Sequence, residues 1–200
     1  MTDYVKDPHT AIFSGPTGCG KTQKVLDLLE GPYKHHFDNI VILCPTLRWN
    51  KTYLERSWVW KDDYVFLFEP SGDLLNLIEK LGKHLANEET LFIIDDCIAE
   101  SELDKARGVL LRLAVSGRHK KHSLWMLTQR YTKVPLTVRD QLKQLFVWYP
   151  KNRGNFEIIN TENDVIDVKD LSGIKKQLRD GVHRCLFIRI AEPRSYEIFF

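Results

Sequence analysis

An octapeptide near the amino terminus leaves this chain few possible folds: Gly15, Pro16, Thr17, Gly18, Cys19, Gly20, Lys21 and Thr22. It matches the phosphate-binding pattern G-x-x-x-x-G-K-[ST], which connects a strand to a helix. Residues 10–14 are strand-like, and residues 21–30 have the apolar spacing of a helix that Gly31 and Pro32 end. The context therefore predicts a phosphate-binding loop (residues 15–22) and not a glycine-rich turn without a ligand.

The residue types of the loop indicate its ligand. Its glycines let backbone N–H groups surround phosphate oxygens, and the dipole of the following helix attracts negative charge. Lys21 is expected to contact the outer phosphates, and the hydroxyl of Thr22 is expected to bind Mg²⁺. ATP and Mg²⁺ are therefore the predicted ligands.

Polar side chains follow two apolar strands later in the chain. Residues 91–94 lead directly into Asp95 and Asp96. A buried strand would place Asp95 beside the phosphate-binding loop, where its carboxylate can hold the shell of Mg²⁺, while Asp96 can orient or deprotonate the attacking water. Gln129, at the tip of the apolar strand 123–127, is predicted to contact the outer phosphate or that water; the alternative is a capped strand end.

Alternating strand and helix patterns predict an α/β fold. Continuous apolar runs such as residues 39–44 are typical of strands that are buried on both faces of a parallel sheet. A mostly parallel sheet flanked by helices is therefore expected. Residues 46–60 are expected to hold one short helix. The last two apolar runs, at residues 183–190 and 194–200, predict a C-terminal β-hairpin.

Other helical predictions concern the second half of the chain. Ser101 is expected to open a helix that Gly117 ends. Residues 151–168 have no clean period and are predicted to be mixed helix and loop. A further helix is expected from Asp170 to Arg179, with Gly181 at its C-terminal cap.

Length and composition exclude several classes of protein. The 200 residues suit a single domain, with a core at 10–150 and a C-terminal helix and hairpin at 151–200. No apolar run approaches the roughly 20 residues that span a bilayer, and the amino terminus lacks an apolar signal core. The four cysteines are far apart, which argues against a zinc site or a disulfide framework. The protein is therefore expected to stay inside the cell.

Basic residues are concentrated in one part of the chain. Between residues 105 and 150, ten Lys or Arg stand against a single acidic residue, Asp140, so this segment carries +9 while the whole chain carries +2. Neutralisation of phosphates by such charges is the main term in non-specific nucleic-acid binding. The segment therefore favours a polyanionic partner, and the alternative is a solvated basic face.

These motifs, in their order, resemble the FtsK-HerA superfamily of DNA-pumping ATPases. The shared features are the phosphate-binding loop, the strand that ends in Asp95 and Asp96, the Gly117-Arg118 pair, and the strand tip Thr128-Gln129-Arg130. Within the superfamily, the runs 117–122, 128–130 and 133–135 are most similar to the poxvirus-type genome-packaging ATPases of large DNA viruses. The resemblance spans residues 10–150. Asp96 departs from the superfamily pattern, which more often has Glu there.

The resemblance implies an ASCE (RecA-like) P-loop NTPase with an additional strand between the phosphate-binding strand and the acidic strand. It implies ATP hydrolysis that moves double-stranded DNA through a homo-oligomeric ring, a hexamer or pentamer, with capsid or membrane-side portal proteins as partners. The expected location is the host cytoplasm, a virus factory or the virion. Lys21, Thr22, Asp95, Asp96 and Gln129 take the family's phosphate, metal and catalytic roles.

The basic segment supplies further candidates. Lys120, Lys121 and Lys133 are the predicted DNA contacts. The phosphate-binding loop holds no arginine, so a residue that neutralises the transferred phosphate must come from elsewhere. Arg118, expected in an exposed basic turn, is predicted either to enter a neighbouring subunit's site or to contact DNA; Arg112 and Arg130 are substitutes.

Two other functions stay open at this point. A P-loop kinase for a small molecule would explain the loop but not the basic segment. A cellular or plasmid DNA-pumping ATPase of the FtsK-HerA type would explain both. A non-hydrolysing module that keeps ATP as a structural ligand is disfavoured by the Asp95-Asp96 pair.

Overall fold

The structure of this protein is a computed structural model that describes residues 2–69, 74–96, 100–150, 154–181 and 183–200, with only the backbone at 74, 75 and 100–107. The strands are β1 (Thr10–Ser14), β2 (Asn39–Leu43), β3 (Val65–Phe68), β4 (Thr90–Asp95), β5 (His122–Thr128), β6 (Leu142–Trp148), β7 (Cys185–Arg189) and β8 (Ser195–Phe199). The helices are α1 (Lys21–Glu30), α2 (Lys51–Leu54), α3 (Ser57–Lys61), α4 (Leu74–His84), α5 (Glu100–Lys120), α6 (Leu136–Arg139), α7 (Gly154–Asn163) and α8 (Val168–Arg179), with a 3-10 turn at Tyr131–Lys133.

The strands of the described residues form one sheet in the order β3-β2-β4-β5-β1-β6-β7-β8. Strands β1 to β6 pair in parallel, whereas β7 runs antiparallel to β6 and forms an antiparallel hairpin with β8. The predicted α/β fold and its C-terminal hairpin are confirmed. Strand β5 lies between β4 and β1, so the additional strand that the resemblance implied is present.

Helices cover both faces of the sheet, and side chains of each strand alternate between two cores. In β1, Ala11 and Phe13 belong to the core under α1, whereas Ile12 belongs to the core on the opposite face. Leu26 of α1 lies in the first core and Leu110 of α5 in the second. This burial on both faces explains the continuous apolar runs that the strands show in the sequence.

The helix α5 is longer than predicted because Gly117 does not end it. The helix continues to Lys120, so the prediction that a non-helical turn begins at Arg118 is wrong. Arg118 lies in the last helical turn, where its side chain is exposed. A Cβ atom on Gly117 would lie 2.5 Å from the carbonyl oxygen of His122, at the start of β5. The glycine is therefore required by the close approach of the helix to the strand, not by a helix end.

Two smaller differences concern residues 46–60 and α8, whereas the described part of residues 151–168 has the predicted mixture of helix and loop. Residues 46–60 hold two short helices, α2 and α3, and not one. Residues 151–168, which have no clean period, include α7, whose buried residues are Asn155, Phe156 and Ile159. Helix α8 begins at Val168 and ends at Arg179, with Asp180 as its C-terminal cap, so Gly181 lies just beyond the cap. The predicted Ser101 cap lies outside the side chains that the structure describes.

A buried hydrogen-bond network joins His9, which precedes β1, to Trp125 of β5 and Gln144 of β6. The Nδ1 of His9 donates to the Asp7 carbonyl oxygen (2.8 Å), because a carbonyl can only accept. The Nε2 of His9 then accepts from Trp125 Nε1 (3.0 Å) and Gln144 Nε2 (2.7 Å). Burial lowers the pKa of His9 from 6.5 to about 4. The network therefore requires a neutral imidazole.

We expect this histidine to make the fold less stable in acid. Between pH 6.5 and 4 the unfolded chain binds a proton at His9 that the native chain does not, so the free energy of unfolding falls as pH falls, by up to roughly 3 kcal/mol. Urea unfolding, followed by tryptophan fluorescence from pH 7 to 4, measures this effect. The free energy of unfolding of His9→Gln should fall less steeply with pH than that of the parent. The exposed His84→Gln is the control. If the free energy of unfolding falls equally steeply with pH in His9→Gln and the parent, His9 is not the group responsible.

Candidate nucleotide-binding site

The phosphate-binding loop connects the carboxyl end of β1 to the first turn of α1. The N–H of Gly15 donates to the carbonyl oxygen of Thr128, the last residue of β5, at 3.1 Å. A Cβ atom on Gly15 would lie 2.7 Å from Trp148 Cβ and 2.7 Å from Cys19 Sγ. The loop is thus held between the ends of β5 and β6, and its first position has space only for glycine.

Lys21 is held against the loop at its own helix terminus. Its side chain is buried, and Nζ donates to the carbonyl oxygens of Gly15 (2.9 Å) and Pro16 (3.2 Å). A cation in this position can exchange these neutral acceptors for phosphate oxygens, which accept stronger, charge-assisted hydrogen bonds. The geometry of Lys21 therefore fits a phosphate ligand.

Thr22 and Tyr53 both donate to the buried carboxylate of Asp95. Asp95 is the last residue of β4, and its Oδ2 accepts from Thr22 Oγ1 (3.0 Å) and Tyr53 Oη (2.9 Å). Burial raises the pKa of Asp95, and these two hydrogen bonds oppose that rise. A hydroxyl and a carboxylate are hard oxygen ligands of the kind that Mg²⁺ prefers beside nucleotide phosphates. Thr22 and Asp95 therefore fit the predicted metal.

Asp96 and Gln129 lie at the ends of adjacent strands. The N–H of Asp96 donates to the carbonyl oxygen of Leu127 (3.2 Å), and Gln129 directly follows β5. Both side chains are exposed. Asp96 has a φ of 46°, in the left-handed region that aspartate tolerates better than most residues. This backbone conformation gives a physical reason for Asp at a position where the superfamily more often has Glu.

The structure gathers one set of predicted residues at the carboxyl edge, which we define as the ends of β1, β4 and β5. This edge carries residues 15–22, Asp95, Asp96 and Gln129, and Lys133 lies near it in the 3-10 turn after β5. The predicted phosphate and metal residues therefore meet here with Asp96 and Gln129, although they are far apart in the sequence; Arg118, the remaining predicted catalytic residue, does not join them.

A second set of predicted residues lies at the opposite, amino edge of the sheet. Arg118, Lys120 and Lys121 precede β5, and Arg118 lines a small cavity with Pro8 and Lys143, which stand at the starts of β1 and β6. The seven residues of β5 separate the two edges by about 20 Å. Arg118 therefore cannot serve the site of its own subunit.

The C-terminal residues contribute contacts that no sequence motif indicated. Nδ1 of His183, between α8 and β7, lies 3.3 Å from the carbonyl oxygen of Cys19 in the loop. Nζ of Lys24 on α1 lies 3.7 Å from the centre of the Phe199 ring in β8. The contact of Tyr53 with Asp95 was not predicted either, because Tyr53 lies in an aromatic and basic stretch of the sequence without periodicity. These contacts join residues that are distant in the chain, so no local signal could reveal them.

Comparison with known proteins establishes the family. The model of the family described as Poxvirus A32 protein matches residues 2–183. The chain belongs to this family. The resemblance to poxvirus-type genome-packaging ATPases of the FtsK-HerA superfamily is thereby confirmed, and the small-molecule kinase alternative is not favoured. No curated protein sequence matches this A32-family chain.

Solved structures show the same fold. The genome packaging NTPase B204 from Sulfolobus turreted icosahedral virus 2, in complex with AMPPCP, has a TM-score of 0.66 and 15% identity over 98% of this chain and 99% of that chain. The DNA-packaging ATPase B204 from Sulfolobus turreted icosahedral virus has a TM-score of 0.71, with 15% identity over 98% and 97%. The pCW3 conjugation coupling protein TcpA has a TM-score of 0.61 at 14% identity, over 98% of this chain and 61% of its own.

Among the residues that the structure describes, no helix combines the length and the apolar character that crossing a bilayer requires.

Proposed function

We propose that this A32-family chain hydrolyses ATP to drive double-stranded DNA into a viral capsid. The observation that carries the proposal is the meeting of Lys21, Thr22, Asp95 and Asp96 at one edge of the sheet, in a chain of this family. The same proposal implies host cytoplasm, a virus factory or the virion as the location. Capsid or membrane-side portal proteins are its implied partners.

Each residue of the site has a separate role in the proposed reaction. Lys21 turns from the loop carbonyls to the outer phosphates, where its charge stabilises the transferred group. Thr22 and Asp95 hold the metal, which supplies neutralisation of phosphate charge. Asp96 accepts the proton of the attacking water, and Gln129 on the adjacent strand end orients that water or contacts the outer phosphate.

The roles of Lys21 and Asp96 are separable by measurement. Lys21→Ala should lower both ATP binding and hydrolysis, because the phosphate charge loses its partner. Asp96→Asn should keep ATP affinity within a few-fold while lowering turnover by roughly 10² to 10⁴, because it keeps the shape and removes the proton acceptor. Phosphate release and equilibrium binding of a fluorescent ATP analogue measure the two effects.

The exposed Asp63→Asn is the control for a lost carboxylate outside the site. Hydrolysis by Asp96→Asn at the parent rate would refute the role of Asp96. Hydrolysis by the parent should also rise when double-stranded DNA is added. A kinase for a small molecule would be indifferent to DNA, so an unchanged rate would count against translocation.

The proposed DNA contacts lie at two separate edges. Lys120 is the last residue of α5 at the amino edge. Lys121 follows it, and its Nζ lies 3.9 Å from Glu89 Oε1. Lys133 lies in the 3-10 turn near the carboxyl edge. Contacts of lysine with phosphate are indifferent to base sequence and strongly dependent on salt. The two groups can therefore be tested one at a time.

We expect neutralisation to reduce the salt dependence of DNA binding. Each lost phosphate contact should lower the slope of log affinity against log salt by about one. The affinity for a labelled duplex is measured by fluorescence anisotropy at several salt concentrations. The double variant Lys120→Gln/Lys121→Gln is compared with the single variant Lys133→Gln. Lys169→Gln on the exposed face of α8 is the control. If the salt dependence of DNA affinity in both test variants equals that of the parent, these lysines form a solvated face and do not contact DNA.

Arg118 is proposed to act in the site of a neighbouring subunit. It is exposed in the last turn of α5 and lies about 20 Å from its own loop, so only another copy can use it for phosphoryl transfer. A ring in which the amino edge of one subunit faces the carboxyl edge of the next would bring the two together. The alternative role for Arg118 is contact with DNA beside Lys120 and Lys121.

Mixed rings test this arrangement directly. Lys21→Ala subunits and Arg118→Ala subunits are each expected to be inactive alone, because one lacks the phosphate contact and the other lacks the arginine. In a mixed ring some sites combine an intact loop with an intact neighbouring arginine, so ATPase activity should partly recover. Arg194→Ala, on the C-terminal hairpin, replaces Arg118→Ala in the control mixture. No recovery at any ratio, with ring formation verified, would eliminate Arg118 as the arginine supplied between subunits.

A further inference from the structure

Tyr53 is a fully buried tyrosine on the one-turn helix α2, outside every motif of the phosphate-binding fold. Its side chain is 0% exposed and belongs to the core that α1 covers. A buried tyrosine hydroxyl requires a hydrogen-bond partner. Here the partner is the carboxylate of Asp95, at 2.9 Å. The apolar ring thus fills the core, while its hydroxyl ends in the site.

The hydrogen bonds to Asp95 come from two separate helices. Thr22 Oγ1 on α1 and Tyr53 Oη on α2 both donate to Oδ2, at 3.0 and 2.9 Å. Two donors restrain the last torsion of the aspartate, which is otherwise broad, more than one donor does. Donors from two helices fix one oxygen and thereby the direction of the other. The metal-binding carboxylate is therefore oriented before any ligand arrives.

The backbone around Tyr53 is anchored on both sides. The side chain of Asn50 caps α2, with Oδ1 accepting from the N–H of Thr52 at 3.1 Å. Nε1 of Trp60 on α3 donates to the carbonyl oxygen of Tyr53 at 2.9 Å. These bonds limit the movement of the α2 backbone relative to β4. Tyr53 can consequently hold a fixed distance to Asp95.

We propose that Tyr53 is a positioning residue that orients Asp95 toward the hydration shell of Mg²⁺. The inference rests on the proposed ATPase function, and it assigns to Tyr53 an effect on the metal and none on the nucleotide itself. Loss of the hydroxyl removes one of the two donors that restrain Oδ2, so the carboxylate should hold the orientation that would suit the metal for less of the time. ATP alone, held by the loop and Lys21, is unaffected.

The test measures ATP binding with and without the metal. The parent and Tyr53→Phe are titrated with a fluorescent ATP analogue in EDTA and then at increasing Mg²⁺. In EDTA the two affinities should agree within about twofold. The Mg²⁺ concentration that gives half of the metal-dependent gain in affinity should be roughly tenfold higher for Tyr53→Phe, because a hydrogen bond to a charged group is lost. Direct detection of bound Mn²⁺ by electron paramagnetic resonance should show the same shift.

Tyr33→Phe is the matched control. Tyr33 is also buried in this core, and its hydroxyl donates to the carbonyl oxygen of Val5 at 2.6 Å, near the amino edge. The same hydroxyl accepts from Gln144 Nε2 at 2.8 Å, so removing it eliminates buried hydrogen bonds and should lower the melting temperature without changing the Mg²⁺ requirement. The control therefore separates a loss of stability from a loss of orientation at Asp95.

Each outcome decides between the proposal and its alternatives. Three results would overturn the role of Tyr53 and leave the proposed function intact. Tyr53→Phe could need no more Mg²⁺ than the parent, it could lose as much ATP affinity in EDTA as in Mg²⁺, or Tyr33→Phe could show the same shift in the Mg²⁺ requirement. A parent that binds no ATP would overturn the proposed function and this inference with it. If Tyr53→Phe fails to fold, replacement of Tyr53 by 4-fluorophenylalanine, which fills the hydroxyl volume without donating, decides in its place.

Discussion

The parallel pairing of β5 with its two neighbours is the constraint on which the whole site depends. Its register sets Ser14 opposite Thr128 on one side and Asp95 opposite Leu127 on the other. Because all three strands end within one residue of each other, the groups that follow them meet at one edge. The N–H groups of Gly15 and Asp96 then donate to successive carbonyls of β5. A shift of β5 by two residues would separate the phosphate-binding loop from its acidic partner.

The site also depends on the two cores that cover the sheet. Strands buried on both faces cannot change register without burying polar groups or leaving voids, so the packing of α1 and α5 stabilises the alignment of the strand ends. One of these cores supplies a functional group directly, since Tyr53 extends from it to Asp95. The segment between α8 and β7 adds His183 beside the loop. Residues outside the phosphate-binding motif therefore shape the nucleotide site from several directions.

Acidic and basic side chains that matter to the proposed function lie at opposite edges of the sheet. The carboxyl edge holds the carboxylates of Asp95 and Asp96, while Arg118 and two lysines of the basic segment lie across the sheet at the amino edge. A single subunit cannot bring these two groups together, because β5 separates them by about 20 Å. Contact between the edges of neighbouring subunits would complete the site, and it would make hydrolysis depend on assembly.

Short motifs were sufficient to predict the fold and the residues that meet at the carboxyl edge: the octapeptide, the apolar strand before Asp95 and Asp96, and the strand tip at Gln129. Together with the runs 117–122 and 133–135 they also predicted the family. Each of these signals is local, because a glycine-rich turn or a strand end is encoded in a few adjacent residues. Only the tertiary structure revealed the role of Gly117, which permits a close approach of α5 to His122 and does not end the helix. It alone brought Tyr53 to Asp95 and His183 to Cys19, and it alone placed Arg118 at the far edge. These facts depend on contacts between distant parts of the chain, which packing and register decide and which no periodicity in one sequence records.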